Sequence, residues 1–105
     1  MSLQGGCFCG AVRYETDGEP FNSTLCHCTD CRRASGAPAL AWFSVKTAEL
    51  RWVGQDPKTF RSSADAMRGF CAQCGTSLTW SAHQWPDEID LATATLDDPE
   101  QVPPQ

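Results

Sequence analysis

The segment Cys26-His27-Cys28-Thr29-Asp30-Cys31 contains three cysteines within six residues. In an extended segment, side chains two positions apart leave the same face, so Cys26 and Cys28 point in the same direction. Cys31 can return to that face if a turn begins near Thr29. Three thiolates leave one position of a tetrahedral zinc ion free, which is typical of a catalytic rather than a structural site. The segment therefore predicts a catalytic zinc on Cys26, Cys28 and Cys31.

Two further cysteine pairs lie far apart in the chain, in Cys7-Phe8-Cys9-Gly10 and in Cys71-Ala72-Gln73-Cys74-Gly75. Each pair is followed directly by glycine, and Gly10 can adopt the positive φ that a backbone wrapping a metal often requires. Together the pairs supply the four thiolates of a closed, structural zinc site. The predicted ligands of that site are Cys7, Cys9, Cys71 and Cys74. In the alternative partition, the central trio takes its fourth sulfur from an outer pair and leaves one cysteine unused.

Length and composition restrict the class of protein. A chain of 105 residues is expected to form one domain, spanning 1–105, with a small core. The odd number of cysteines and the lack of an apolar secretory segment argue against a disulfide framework, so we expect a cytoplasmic location. The formal net charge of −5 should repel nucleic acid and anionic membranes. The longest apolar segment, 37–45, is interrupted by Pro38 and Ser44 and is too short to span a membrane.

Alternation of apolar and polar residues predicts a mostly β fold of short antiparallel strands. The predicted strands are 11–16, 21–28, 38–45, 49–53, 58–62, 67–70, 76–81 and 88–96. One helical turn, capped by Thr29 or Asp30 and ended by Gly36, would bring Cys31 back toward the other two cysteines. The expected core covers 5–96, with Ile89, Leu91 and either Ala94 or Leu96 facing inward. Residues 97–105 are expected to form a polar, proline-rich exit.

The histidines and tryptophans each allow two interpretations. His27 lies between two cysteines whose geometry turns its ring away, so we interpret it as a non-ligand. His83 is predicted to be a surface residue, with a distal ligand or proton shuttle as the alternative. The four tryptophans are expected to fill a thin β core. In the alternative interpretation, Trp42 or Trp80 lines a cleft beside the open metal.

Two arginines, Arg32 and Arg33, follow the cysteine trio directly. Either side chain could lower the pKa of a thiolate or bind a carboxylate of an incoming substrate, although many arginine pairs are merely solvated. Arg61 and Arg68 could reach the same substrate across the sheet. We therefore name Arg32 and Arg33 as candidate substrate-binding residues.

The cysteine segments also resemble a known family, the glutathione-dependent formaldehyde-activating enzymes, whose zinc domain is similar to that of centromere protein V. The matching segments are Gly6 to Gly10, Cys26 to Gly36, Arg68 to Thr76 and Leu96 to Glu100. The resemblance implies a β-tent fold with a structural zinc on the four outer cysteines and a catalytic zinc on the central three.

The resemblance also implies an activity. It is that of a carbon-sulfur lyase, which joins glutathione and formaldehyde into S-hydroxymethylglutathione or makes a related adduct. The expected partners are then a small-molecule thiol such as glutathione and an aldehyde. The alternative is a non-catalytic, zinc-stabilised binding module, and a third reading is a metallochaperone or zinc buffer.

Overall fold

Two antiparallel sheets form the fold in the computed structural model, which describes residues 2–105. The strands are β1 Leu3–Gly6, β2 Arg13–Thr16, β3 Phe21–Cys26, β4 Leu40–Lys46, β5 Leu50–Trp52, β6 Lys58–Arg61, β7 Ala66–Phe70, β8 Ser77–Ala82 and β9 Glu88–Ala92. The remaining regular elements within residues 2–105 are one helix and three 3₁₀ turns. They are α1 Thr29–Ser35 and the turns Thr47–Glu49, Thr93–Thr95 and Pro99–Gln101. The small sheet has the strand order β1-β2-β5, and the large sheet has the order β3-β4-β9-β8-β7-β6. This architecture confirms the predicted mostly β fold of short antiparallel strands.

One face of the large sheet packs against the small sheet. Phe43, Val45 and Leu91 of the large sheet are fully buried together with Leu3 and Tyr14 of the small sheet. Tyr14 also meets Trp52 edge to face, with ring centroids 5.8 Å apart. The space between the two sheets is therefore the main hydrophobic core.

The opposite face of the large sheet carries a different set of side chains. Across neighbouring strands, Ser44 lies opposite Asp90, Asp90 lies opposite Trp80, and Trp80 lies opposite Arg68. Residues directly opposite each other in antiparallel strands project from the same face. Trp42 joins this set because it is two positions from Ser44. The sheet thus separates an apolar face, which forms the core, from a face that carries polar groups and tryptophans.

The core extends beyond the predicted range of 5–96. Leu3, in a strand that the sequence pattern did not predict, is fully buried, and Val102 is only 4% exposed in the same cluster. Asp97 is held by Arg13 through hydrogen bonds of 2.8 and 2.6 Å. Residues 97–105 are therefore tied to the sheets rather than forming only a polar exit.

The last predicted strand, 88–96, ends early. Strand β9 stops at Ala92 because Thr93–Thr95 forms a 3₁₀ turn, in which the Thr95 hydroxyl donates to the Ala92 carbonyl at 2.7 Å. Ile89 and Leu91 contribute to the core as predicted, and Leu96 is buried there while Ala94 is exposed. None of the helices in residues 2–105 has the length and apolar character needed to cross a membrane.

The burial of Val102 gives a test of this packing. Replacing Val102 with Ala should lower the free energy of unfolding by about 1–3 kcal/mol, because two buried methyl groups are removed and a cavity remains. Val53→Ala is the matched control, since Val53 is 61% exposed and should change stability by less than about 0.5 kcal/mol. Urea unfolding of both variants measures the difference. Equal stabilities for the two variants would contradict the packing of residues 97–105 into the core.

Candidate metal centre

The four outer cysteines form one compact cluster of sulfur atoms. The Sγ atoms of Cys7, Cys9, Cys71 and Cys74 all lie within 4.8 Å of one another. The Cys9 sulfur lies 3.6 Å from that of Cys7 and 3.8 Å from that of Cys71. Tetrahedral zinc with Zn–S bonds of about 2.3 Å separates its sulfur ligands by about 3.8 Å. The spacing of this cluster therefore fits a tetrahedral metal with four thiolates.

Two similar turns present these four sulfurs. One follows β1 and the other follows β7, and each ends in a glycine with positive φ, 85° at Gly10 and 82° at Gly75. The amide of Gly10 donates to the Cys7 carbonyl at 3.2 Å, and that of Gly75 donates to the Cys71 carbonyl at 2.9 Å. A side chain would strain the backbone at both glycines. The positive φ predicted for Gly10 is confirmed, and Gly75 has the same role.

Thr76 links the two turns. Its hydroxyl accepts a hydrogen bond from the Phe8 amide at 3.1 Å and lies 3.1 Å from the Cys74 sulfur. The pKa of the Cys74 thiol is lowered to about 5, and the hydrogen bond from the Thr76 hydroxyl contributes most to this shift. A lowered pKa favours the thiolate, which is the form of cysteine that binds metal.

The three central cysteines form a second cluster, with all three Sγ atoms within 4.8 Å of one another. Cys26 ends β3, and Cys31 lies in the first turn of α1. The cap of this helix is Cys28, not Thr29 or Asp30 as predicted, because the Cys28 sulfur accepts a hydrogen bond from the Cys31 amide at 3.3 Å. The end of the helix at Gly36, with φ of 73°, is confirmed. A single helical turn thus brings Cys31 back toward the other two cysteines.

The thiols of this second cluster differ in acidity. Burial raises the pKa of Cys26 to about 11. The backbone N–H of Cys31 lowers the pKa of Cys28, and neighbouring thiols lower it further. The exposed thiol of Cys28 is therefore the first of this pair to ionise.

Neither histidine joins a cysteine cluster. His27 and His83 are both exposed, and His83 borders a separate cavity beside Trp85 and Pro86. Within residues 2–105, the groups of side chains suited to hold a metal are the two cysteine clusters alone. The central cluster thus offers three protein ligands, and the interpretation of His27 as a non-ligand agrees with the structure.

A cleft of about 340 Å³ opens beside the three central cysteines. Its walls include Trp42 and Trp80, and the Trp42 indole N–H donates to the Cys31 sulfur at 3.4 Å. These two tryptophans line the cleft as the alternative interpretation proposed. Trp85 is 55% exposed, so the prediction that it fills the core is wrong.

Arg68 lies beside this cleft, although the sequence suggested only that it could reach a substrate across the sheet. It is 6% exposed and borders the cleft, and its Nη2 donates to the Cys31 sulfur at 3.5 Å. Its Nε is buried without a hydrogen-bond partner. Burying an unpaired cation costs several kcal/mol in real proteins, so Arg68 needs a compensating negative group. Nothing in the sequence near Arg68 signals this burial.

The two arginines beside the cysteine trio lie in different places, although both side chains are exposed. Arg33 borders a cavity of about 250 Å³ that it shares with Asp30, Ser62 and Arg68. Arg32 borders neither this cavity nor the cysteine cleft. Arg61 donates to the carbonyl of Ala64 at 3.2 Å and also borders neither of them.

Asp90 also borders the cleft, and the sequence analysis did not name it. It lies on β9, and the Ser44 hydroxyl donates to its carboxylate at 2.5 Å. Burial raises the pKa of Asp90, and the hydrogen bond from Ser44 opposes that effect. The sequence did contain one sign of this position. Asp90 lies between Ile89 and Leu91, and because side chains alternate along a strand, it points away from the core.

A family model described as glutathione-dependent formaldehyde-activating enzyme matches residues 2–105. The chain belongs to this family.

Relatives of the chain agree with this assignment. A Halomonas elongata protein named "Putative glutathione-dependent formaldehyde-activating enzyme" is 26% identical over 100% of this chain and 72% of its own length. An uncharacterized lyase of Schizosaccharomyces pombe is 29% identical over 71% of this chain and 54% of its own length. The crystal structure of a Rhodobacter sphaeroides protein superposes with a TM-score of 0.72 at 28% identity, covering 97% of this chain and 99% of that one. The resemblance of the cysteine segments to this family is therefore confirmed, and with it the β-tent fold.

We expect a metal in the outer cluster to stabilise the fold, and a metal in the central cluster to contribute little to its stability. Cys74→Ser should release metal and lower the melting temperature sharply, because a structural zinc contributes on the order of 10 kcal/mol to small domains. Cys28→Ser is the matched variant and should remain folded with about one metal ion per chain. Elemental analysis and thermal circular dichroism measure both effects. An unfolded Cys28→Ser beside a stable Cys74→Ser would reverse the two roles.

Proposed function

We propose that this chain catalyses reversible carbon-sulfur bond formation between a thiol and an aldehyde. Glutathione and formaldehyde are the substrates that the name of the family indicates. The observation that carries this proposal is the central cluster, where Cys26, Cys28 and Cys31 border an open cleft and no fourth side chain in residues 2–105 joins them. A metal held by these three thiolates would have a position left for a substrate atom.

Zinc fits the donor set of both clusters. Cysteine sulfurs are soft ligands that suit zinc, and their spacing in the outer cluster matches a tetrahedral ion. We assign a structural zinc to Cys7, Cys9, Cys71 and Cys74 and a catalytic zinc to Cys26, Cys28 and Cys31. When bound in the central cluster, zinc supplies Lewis acidity that favours the thiolate form of a thiol at neutral pH.

The reaction needs one proton to move but no oxidant or reductant. The thiol loses its S–H proton, its sulfur forms a bond to the aldehyde carbon, and the carbonyl oxygen gains a proton as its double bond opens. The reverse reaction breaks the carbon-sulfur bond in the direction of a lyase. One group that accepts the first proton and donates the second therefore suffices.

Asp90 is suited to carry that proton. Its carboxylate borders the same cleft as the central cysteines and is half-buried. Its raised pKa, caused by burial, brings the carboxyl closer to neutral pH, where a group exchanges protons most efficiently. The Ser44 hydroxyl donates to this carboxylate and so fixes its orientation.

The walls of the cleft support the same chemistry. Trp42 and Trp80 form the apolar part of the cleft wall beside the central cysteines. Arg68 places a positive charge within 3.5 Å of the Cys31 sulfur, where it offsets the negative charge of thiolates. The cleft thus favours an anionic sulfur next to a small, uncharged aldehyde.

Exchange spectroscopy by NMR tests the proposed activity. Glutathione and formaldehyde should interconvert with their adduct faster with the zinc-loaded protein than in buffer, and Cys28→Ser should remove the acceleration. A buffer control is essential because the adduct also forms without a catalyst. Equal exchange rates in all three samples, with no binding of glutathione by calorimetry, would favour the non-catalytic, zinc-stabilised binding module.

The pH dependence of exchange tests the role of Asp90. If its carboxylate accepts the thiol proton, the rate of adduct formation should rise with pH through the raised pKa of Asp90. Asp90→Asn should remove this inflection and lower the rate by roughly 100-fold.

Ser44→Ala is the matched control for that prediction. It keeps the carboxylate but removes a hydrogen bond that lowers the pKa of Asp90, so the inflection should move to higher pH. An unaltered pH profile in Asp90→Asn would show that another group carries the proton.

A further inference from the structure

Arg68 lies where three cavities meet. The first is the cysteine cleft, and the second, of about 340 Å³, includes Phe60 and Phe70 in its wall. The third is the cavity of about 250 Å³ that Arg33 borders. Arg68 is the one residue of the described chain that borders all three. Its guanidinium is thus within reach of a ligand that extends from the cysteines in either direction.

The guanidinium of Arg68 has unused hydrogen-bonding capacity. The ion pairs within residues 2–105 belong to Arg13 and Arg51, so no carboxylate of the described chain lies within 4.0 Å of Arg68. The contact of Nη2 with Cys31 accounts for one donor, whereas Nε is buried without a partner. An arginine guanidinium presents its N–H groups in a planar fork that matches both oxygens of a carboxylate.

We propose that Arg68 binds a carboxylate of the thiol substrate, while the sulfur of that substrate lies at the three central cysteines. This inference rests on the proposed function and specifies its substrate class as small thiols that carry a carboxylate. A role as counterion of the thiolates alone would account for Nη2 but would leave Nε unpaired. A carboxylate neutralises the buried charge and accepts hydrogen bonds from the guanidinium donors that Cys31 does not use.

Arg33 extends the same subsite toward solvent. It shares the third cavity with Arg68, but its side chain is exposed. A thiol with two carboxylates, as in glutathione, can place one on Arg68 and the other near Arg33. An exposed contact of this kind is screened by solvent and adds less affinity than the buried one.

Two thiols that differ only in charge test the inference. N-acetylcysteine carries a carboxylate, whereas its amide does not, and calorimetry with the zinc-loaded protein compares their affinities. We expect the native protein to bind N-acetylcysteine about 10- to 100-fold more tightly, the range for hydrogen bonds to charged groups. Arg68→Met should remove this preference, so that the two thiols bind equally. Loss of the charge beside Cys31 should weaken both thiols alike.

Two further variants separate Arg68 from general effects of charge and folding. Lys58→Met removes an exposed positive charge from the neighbouring strand β6, borders none of the three cavities, and should keep the preference. Arg68→Lys keeps the charge but loses the planar fork, so it should retain only part of the preference. Equal affinities of the two thiols for the native protein, or a full preference in Arg68→Met with intact zinc content, would overturn the inference.

S-methylglutathione distinguishes failure of this inference from failure of the proposed function. It carries both carboxylates but no free thiol, so its binding should weaken in Arg68→Met and remain unchanged in Cys28→Ser. Binding that depends on Arg68 without any catalysed exchange would retain the carboxylate subsite and reject the activity. Catalysed exchange with no dependence of binding on Arg68 would retain the activity and reject the subsite.

Discussion

The rest of the structure depends on the contact between the turn after β1 and the turn after β7. The sulfurs of Cys9 and Cys71 come within 3.8 Å across 62 positions of sequence. Strand β1 belongs to the small sheet and β7 to the large one, so these turns hold the two sheets together at one end. A chain of this length buries only a small core, and closing a long loop costs conformational entropy. A metal shared by the four thiolates would offset that cost, whereas the apolar contacts between the sheets determine how they pack.

Strand β7 connects this structural element to the cleft. Cys71 follows the strand directly, and Arg68 lies three positions earlier on the face that carries Trp80 and Asp90. A displacement of the turn at Cys71 would therefore also move the guanidinium of Arg68 relative to Cys31. The face of the large sheet that packs in the core supplies stability, and the opposite face carries the candidate site. This division explains how so small a molecule can bury a cation beside a cluster of thiols without loss of its core.

The cysteine clusters and the mostly β fold could be predicted from the sequence because they depend on local spacing. Cysteines two or three positions apart followed by glycine specify a turn, whichever strands it joins. Arg68 could be named only as one of several arginines that could reach the substrate, and Asp90 could not be identified. Their positions depend on the register between strands that are distant in sequence. The burial of Leu3 and Val102 was missed because each is an isolated apolar residue in a segment with little alternation. The cap at Cys28 was missed because sulfur is an unusual acceptor at the start of a helix.

Charge balance offers a physical reason for the composition of the cleft. Three thiolates exceed the charge of a divalent ion by one, and a thiolate substrate would add a further negative charge in a poorly solvated space. Arg68 offsets part of this charge, and its contact with Cys31 places the compensation at the cluster itself. Asp90 borders the same cleft, and burial raises the pKa of its carboxyl, so a further negative charge is disfavoured there. The cleft can therefore accept an anionic sulfur because its arginine keeps a positive charge beside the cysteine cluster.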